Sequence, residues 1–216
     1  MGREPWLRVD LQANTLRLGS KYGGWTIIPD LIRPESTIIS VGVGDDVTFD
    51  LAMIEHFGVT VHAFDPTPTV VSWMASQHLP AAFQFYALGL ATYDGEAQFH
   101  APLINGHISH SMVDRFGGRV VSVPVRRLAS LMQQVGCSQI DVLKLDVEGV
   151  EYEVLDDILK SNIRVGQLLV EYHHRFPQIG VERTRQSIAK LQANGYRLFK
   201  ISESGDEYSF LRPIDA

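Results

Sequence analysis

The chain has 216 residues, 45% of them hydrophobic and 20% charged, and a net charge of −6. Such a length and apolar content describe one soluble domain with an ample core, and the negative charge argues against a large footprint on a nucleic-acid backbone. Cys137 is the single cysteine, which excludes a disulfide framework and a thiolate metal cluster.

No stretch is long and apolar enough to span a bilayer, and Met1 to Trp6 resembles neither a signal peptide nor an acylation site, so the expectation is a cytoplasmic protein without membrane contact. From Leu7 to Asp30 the chain is polar and turn-rich, with Leu16 and Leu18 alternating ahead of Lys21-Tyr22-Gly23-Gly24-Trp25. This predicts a short hairpin on the pocket side, its aromatics serving either as a lid over a ligand or as a packed plug. Residues 1–36 are therefore expected to form an N-terminal hairpin or lid, and 37–216 the principal domain.

Thr37 to Asp50 reads as strand, tight loop and helix. Its unbroken Ile/Val run suits a parallel strand covered on both faces, and Gly42 and Gly44 let the backbone turn sharply beside a ligand. A dinucleotide fingerprint needs a third glycine, but Val47 stands there and the helix opens with Asp45 and Asp46. Two carboxylates repel a diphosphate. They favour a cofactor with an ammonium and a sulfonium group, S-adenosylmethionine, contacted by Ser40, Gly42, Gly44 and Asp45.

The next predicted strand, Val59 to Phe64, ends in Asp65-Pro66, roughly 20 residues past the glycines, where a βαβ unit places an acid on the ribose hydroxyls. Helical spacing follows over Thr67 to Gln77, then a strand over 82–87 whose exit at Leu88 lies where the adenine edge would rest. Glu96 to His100 forms a further short strand. The long loop from Pro102 to Gly118 holds hydroxyls and histidines, with His110 a candidate substrate contact and catalytic group. Arg119 to Val125 alternates as a strand, and Leu128 to Val135 forms an amphipathic helix.

Ile140 to Glu151 is the least ordinary segment: alternation turns Lys144, Asp146 and Glu148 to one side of an apolar strand, costly unless they pair or serve a site. Leu168 to His174 is a second apolar strand, ending in Glu171 and His173. Asp146, Glu171 and His173 are the candidate acids and bases, His173 as a neutral imidazole suited to accept a proton near pH 7. Residues at neighbouring strand ends can also reach one ion, so the same three are candidate ligands for a divalent cation such as Mg²⁺ or Mn²⁺.

With Asp141-Val-Leu-Lys-Leu-Asp-Val-Glu-Gly-Val-Glu151 and Leu168-Leu-Val-Glu-Tyr-His-His174 in view, the chain resembles the FkbM-type class I S-adenosylmethionine-dependent methyltransferases from about Tyr22 to Leu211. Its first loop, Ser40-Val-Gly-Val-Gly-Asp-Asp46, departs from the Asp-x-Gly-Ala-Asn-x-Gly common in the family and is closer to the methyltransferase-like 24 branch. The resemblance implies a Rossmann-like α/β fold with helices on both faces of a mostly parallel seven-stranded sheet. Its strands, at 38–42, 60–64, 82–87, 140–146, 166–171, 196–201 and 207–211, would follow the order 3-2-1-4-5-7-6. It also implies methyl transfer, most simply to a hydroxyl of a small molecule or carbohydrate. A nicotinamide-dependent oxidoreductase and an idle nucleotide-binding module on the same fold are the alternatives, and a monomer and a homodimer are both open.

Overall fold

In a computed structural model the described residues are 7–100 and 120–213. The expected loop 102–118, with His110, lies outside them. In chain order the strands are β1 (Leu16–Leu18), β2 (Trp25–Ile27), β3 (Ile38–Val41), β4 (Val61–Phe64), β5 (Phe83–Tyr86), β6 (Gly89–Leu90), β7 (Gly95–His100), β8 (Val120–Arg126), β9 (Ile140–Leu145), β10 (Val165–Glu171), β11 (Arg197–Ile201) and β12 (Glu207–Leu211). The helices are α1 (Thr48–Phe57), α2 (Pro68–Ser76), α3 (Leu128–Val135), α4 (Glu151–Lys160) and α5 (Val181–Ala193).

A seven-stranded sheet organises these elements, in the order β11-β12-β10-β9-β3-β4-β5. Counted among these seven strands alone, the order reads 3-2-1-4-5-7-6 from the β5 edge, while β1, β2 and β6 to β8 enter the chain numbering but pair elsewhere. β1 and β2 form a hairpin, and β6, β8 and β7 form a three-stranded sheet. The large sheet is mixed: neighbours from β5 to β10 run parallel, while β12 runs antiparallel to both β10 and β11. A parallel neighbour needs a crossover connection, whereas the 202–206 turn between β11 and β12 allows only a hairpin.

Register decides which side each residue serves. Ile39, Val41, Leu143, Leu145, Leu168 and Val170 face α3, α4 and α5 in the largest core cluster. Their alternates Ile38, Val142 and Leu169 face α1 and the N-terminal hairpin, packing on Phe49, Met53, Trp25 and Ile27. All four residues of β3 are buried, as a strand covered on both faces must be. Gln167 on β10 locks the hairpin down: its amide accepts from Ile28 N at 2.7 Å and donates to Ile28 O at 3.1 Å. Trp25 is thus packed at 4% exposure, whereas Tyr22 at the tip is 86% exposed, so the two aromatics divide the roles of plug and rim. No helix among the described residues is long and apolar enough to cross a membrane.

Candidate active site

The cleft opens at the carboxyl ends of β3, β4 and β9, where a parallel α/β sheet leaves space between diverging connections. Its lining includes Gly42, Gly44, Asp45, Asp65, Pro66, Gly89, Leu90, Phe99, Asp146 and Glu148. Gly42 and Gly44 both take positive φ, at 72° and 57°. That conformation folds the loop over the sheet: Gly42 N donates to Phe64 O at 2.9 Å and Gly44 N to Asp65 Oδ2 at 3.0 Å. Asp65 also accepts from Thr67 N at 2.9 Å. It therefore holds the glycine loop and the start of α2 while bordering the cleft, and a carboxylate has further lone pairs for a ligand.

Two expected contacts are placed elsewhere. Ser40 is fully buried under the loop, in register with Lys144, and Leu88 packs against the core while Gly89 and Leu90 line the cleft in its place. The backbone turns after Tyr86 to start β6, and pairing of β6 with β8 is a long-range event that local periodicity does not record. The paired acids also separate. Asp45 lines the cleft, but Asp46 accepts from Thr48 N at 3.1 Å and from Ser20 Oγ at 2.5 Å, tying the first residue of α1 to the hairpin tip.

Lys144 is 5% exposed and points to the hairpin side, donating to Gly42 O at 2.8 Å, with its ammonium 5.5 Å from the centre of the Trp25 ring. It serves the loop, while Asp146 lines the cleft. The expected common orientation of Lys144, Asp146 and Glu148 fails because β9 ends at Leu145 and Glu148 takes a left-handed φ of 52°. A non-glycine residue in that region is held by its surroundings, often at a functional site. Lys144 also faces Asp50, which is fully buried on α1 and whose carboxyl is pushed up by burial against the pull of that ammonium.

His173 is the hub of the chemistry. Its Nε2 lies 3.5 Å from Glu148, 3.7 Å from Asp146 and 3.9 Å from Glu171, while Nδ1 lies 3.4 Å from Glu151. Glu151 is 0% exposed, and its carboxylate accepts from Gly149 N and His173 N, both at 2.8 Å. Burial opposes a charged imidazole, yet the Glu151 hydrogen bond and the charges of Glu151, Asp146 and Glu148 outweigh it and push His173 up to about 9. At neutral pH the ring is an imidazolium, which corrects the expectation of a neutral base. Burial pushes Asp146 up to about 6, with Glu148 and Glu151 reinforcing and Lys144 and His173 opposing. Glu171 is pushed further up, first by burial and then by the charge of Asp146.

Glu148 stood out in the sequence only as one of three charges on a strand face, and Glu151 and Asp50 did not stand out as site residues. The usable signal for the first two was Glu148-Gly149-Val150-Glu151 directly after Asp146, where a charged turn enters a helix. Asp50 carries no such signal, since an acid in a helix's first turn is ordinary. The ligand atoms of Asp146, Glu171 and His173 lie within 4.8 Å of one another, a spacing that a cation could also bridge.

Residues 21–198 match the family model described as the methyltransferase FkbM domain. The chain is similar to the probable methyltransferase-like protein 24 of Homo sapiens, 28% identical over 172 residues that cover 78% of this chain and 40% of that one. The rat counterpart, from Rattus norvegicus, is 27% identical and 42% covered. The 31-O-demethyl-FK506 methyltransferase FkbM of Streptomyces tacrolimicus is 25% identical over 197 residues, covering 76% of this chain and 74% of that protein. The chain thus spans about two fifths of the methyltransferase-like 24 relatives.

Proposed function

The chain belongs to the FkbM methyltransferase domain family, and from that premise we propose that it moves a methyl group from S-adenosylmethionine to a hydroxyl of a small molecule or carbohydrate. The family implies S-adenosylmethionine as the usual cofactor, and the cleft carries the reading. Asp45, Asp65, Asp146 and Glu148 line it, and no lysine or arginine is among its described lining residues. Such a wall suits an ammonium and a sulfonium and repels a diphosphate, which also disfavours a nicotinamide dinucleotide. Gly44 leaves open space where a side chain would stand, so backbone can approach the ligand closely.

When bound, S-adenosylmethionine supplies an electrophilic methyl whose carbon–sulfur bond breaks with its electron pair passing to sulfur. Asp65 accepts from the ribose hydroxyls. Asp146, ionised at neutral pH, accepts the acceptor's hydroxyl proton on a carboxylate oxygen as the new carbon–oxygen bond forms. Glu171, protonated beside it, donates a hydrogen bond that orients the acceptor oxygen. His173, charged and anchored by Glu151, keeps Asp146 the ionised member of the pair.

Titration calorimetry tests the cofactor assignment: S-adenosylmethionine should bind and NAD should not. Asp65→Ala is expected to weaken the first by about 2 kcal/mol, roughly thirtyfold in Kd, through the lost charge-assisted contacts. Equal affinity for wild type and variant would remove Asp65 from the site. Steady turnover with an acceptor separates this reading from an idle binding module.

A second reading places a divalent cation between Asp146, Glu171 and His173, which their spacing favours. The imidazolium opposes it, because a ligating nitrogen must first lose its proton. Turnover is expected to survive exhaustive chelation. Activity lost on chelation, restored by Mg²⁺ or Mn²⁺ and matched by bound metal in elemental analysis, establishes the cation instead.

A further inference from the structure

A second cavity, of about 530 Å³, lies between the β1–β2 loop and the β11–β12 hairpin, within the range of small-molecule sites. Its floor and rim include Tyr22, Trp25, Lys200, Ser202, Glu207 and Ser209. Sheet register connects it to the reacting groups. Ser209 pairs with Leu169 and with Lys200, and Leu169's other neighbour is Lys144, so one row of the sheet runs from the cavity floor to the residue beneath the glycine loop.

The next row pairs Glu207 with Glu171, and directly opposed residues project from the same face. Glu207 lines the cavity, Glu171 stands beside Asp146 and His173, and Asp146 lines the cofactor cleft. A molecule in the cavity therefore lies beside the strand pair that carries Glu171 into the reacting cluster.

The lining indicates what it holds. Tyr22, 86% exposed, offers an aromatic ring at the rim. The polar groups differ in kind: the Lys200 ammonium donates, the Glu207 carboxylate accepts, and the Ser209 hydroxyl, which donates to Thr26 O at 2.9 Å, keeps lone pairs to accept. Basic Arg17, Lys21 and Lys200 are largely offset by acidic Glu203 and Glu207, which disfavours a ligand of one strong charge. Arg17 is no free anion clamp, since its guanidinium donates to Ser20 O at 2.6 Å and Lys21 O at 3.0 Å. An aromatic platform above mixed donors and acceptors matches a neutral polyhydroxylated ring, with its C–H face on the aromatic and its hydroxyls on the floor.

We infer that this cavity is the acceptor site and that the acceptor presents a neutral sugar or sugar-like polyol ring, held between Tyr22 and the Lys200–Ser209–Glu207 floor with one hydroxyl reaching Glu171. The inference rests on the methyl-transfer reading for the direction of the reaction, but the binding site is testable by itself.

Saturation-transfer NMR on the intact chain, with the methyl glycosides of glucose, galactose and rhamnose, provides the test, alongside catechol and glucose 6-phosphate as aromatic and anionic controls. At least one glycoside is expected to bind in preference to both controls. Tyr22→Ala should weaken it about fivefold, the size of one stacking contact, and Tyr22→Trp should restore it. Calorimetric affinity for S-adenosylhomocysteine should be unchanged in both variants. No binding by any glycoside, preference for either control, or equal binding by Tyr22→Ala overturns the inference. If S-adenosylhomocysteine binds and the glycosides do not, the acceptor assignment fails and the methyl-transfer reading stands. Glycoside binding without S-adenosylhomocysteine binding overturns the methyl-transfer reading and leaves the sugar site.

Discussion

Asp146→Asn is expected to lower turnover by about two to four orders of magnitude, the contribution of a positioned general base. The amide keeps the shape of the carboxylate, so the Asp146 N to Val41 O hydrogen bond at 3.1 Å and the cleft wall are retained. What is lost is proton affinity. Folding, read by the thermal transition, should change little, and affinity for S-adenosylhomocysteine should fall far less than turnover. The pH profile gives an independent measure. A base must be deprotonated to work, so the wild-type rate should rise as pH climbs through about 6, where Asp146 titrates.

The same profile should fall as pH passes about 9, where His173 loses its proton and its attraction for Asp146. The stability linkage has a matching sign. Because the folded-state value for His173 lies above its ordinary 6.5, its contribution is fully present below that value and is lost as pH rises through about 9. An Asp146→Asn enzyme with near wild-type turnover, or a rate flat between pH 5 and pH 8, would exclude Asp146 as the base.

Gly42→Ala carries the largest expected effect on stability. A Cβ at this position would stand 1.6 Å from the Asp146 carbonyl oxygen, and the φ of 72° strains any L side chain. Left-handed backbone costs about 1–2 kcal/mol and forced overpacking about 1–3 kcal/mol, giving roughly 2–5 kcal/mol together. For a domain of this size that is a fall in Tm of about 4–20 °C. The obstacle is the chain's own backbone, where β3 and β9 leave the sheet side by side. The substitution therefore acts even without ligand. Gly44→Ala, with nothing within 4 Å of its added Cβ, is the control: it carries the backbone strain alone and should cost less. Equal Tm losses in the two variants would show that contact with Asp146 O is relieved at no cost.

Much of the frame was legible locally. The Ile/Val run before Gly42, the acid at Asp65 and the charged stretch ending in Glu151 marked strand, loop and site, because burial on both faces and sharp turns restrict which residues are tolerated. Those constraints act within a few residues, so periodicity and spacing record them. The convergence of Asp146, Glu171 and His173 was also foreseeable, since each stands at or just beyond a strand's carboxyl end.

Other features depend on partners far along the chain. That β6 leaves the large sheet to pair with β8, so that Leu90 takes the place expected for Leu88, follows from contacts between residues 35 or more positions apart, which no window of sequence contains. Charge state is decided in the same way. His173 reads as an ordinary neutral base until Glu148, Glu151 and Asp146 are folded around it, and the summed field of those carboxylates, stronger at low solvent exposure, then holds its proton. The residue types that do the chemistry are written in the sequence. Which of them is acid and which is base is set by distance and burial, and those exist only once β9, β10 and α4 are packed together.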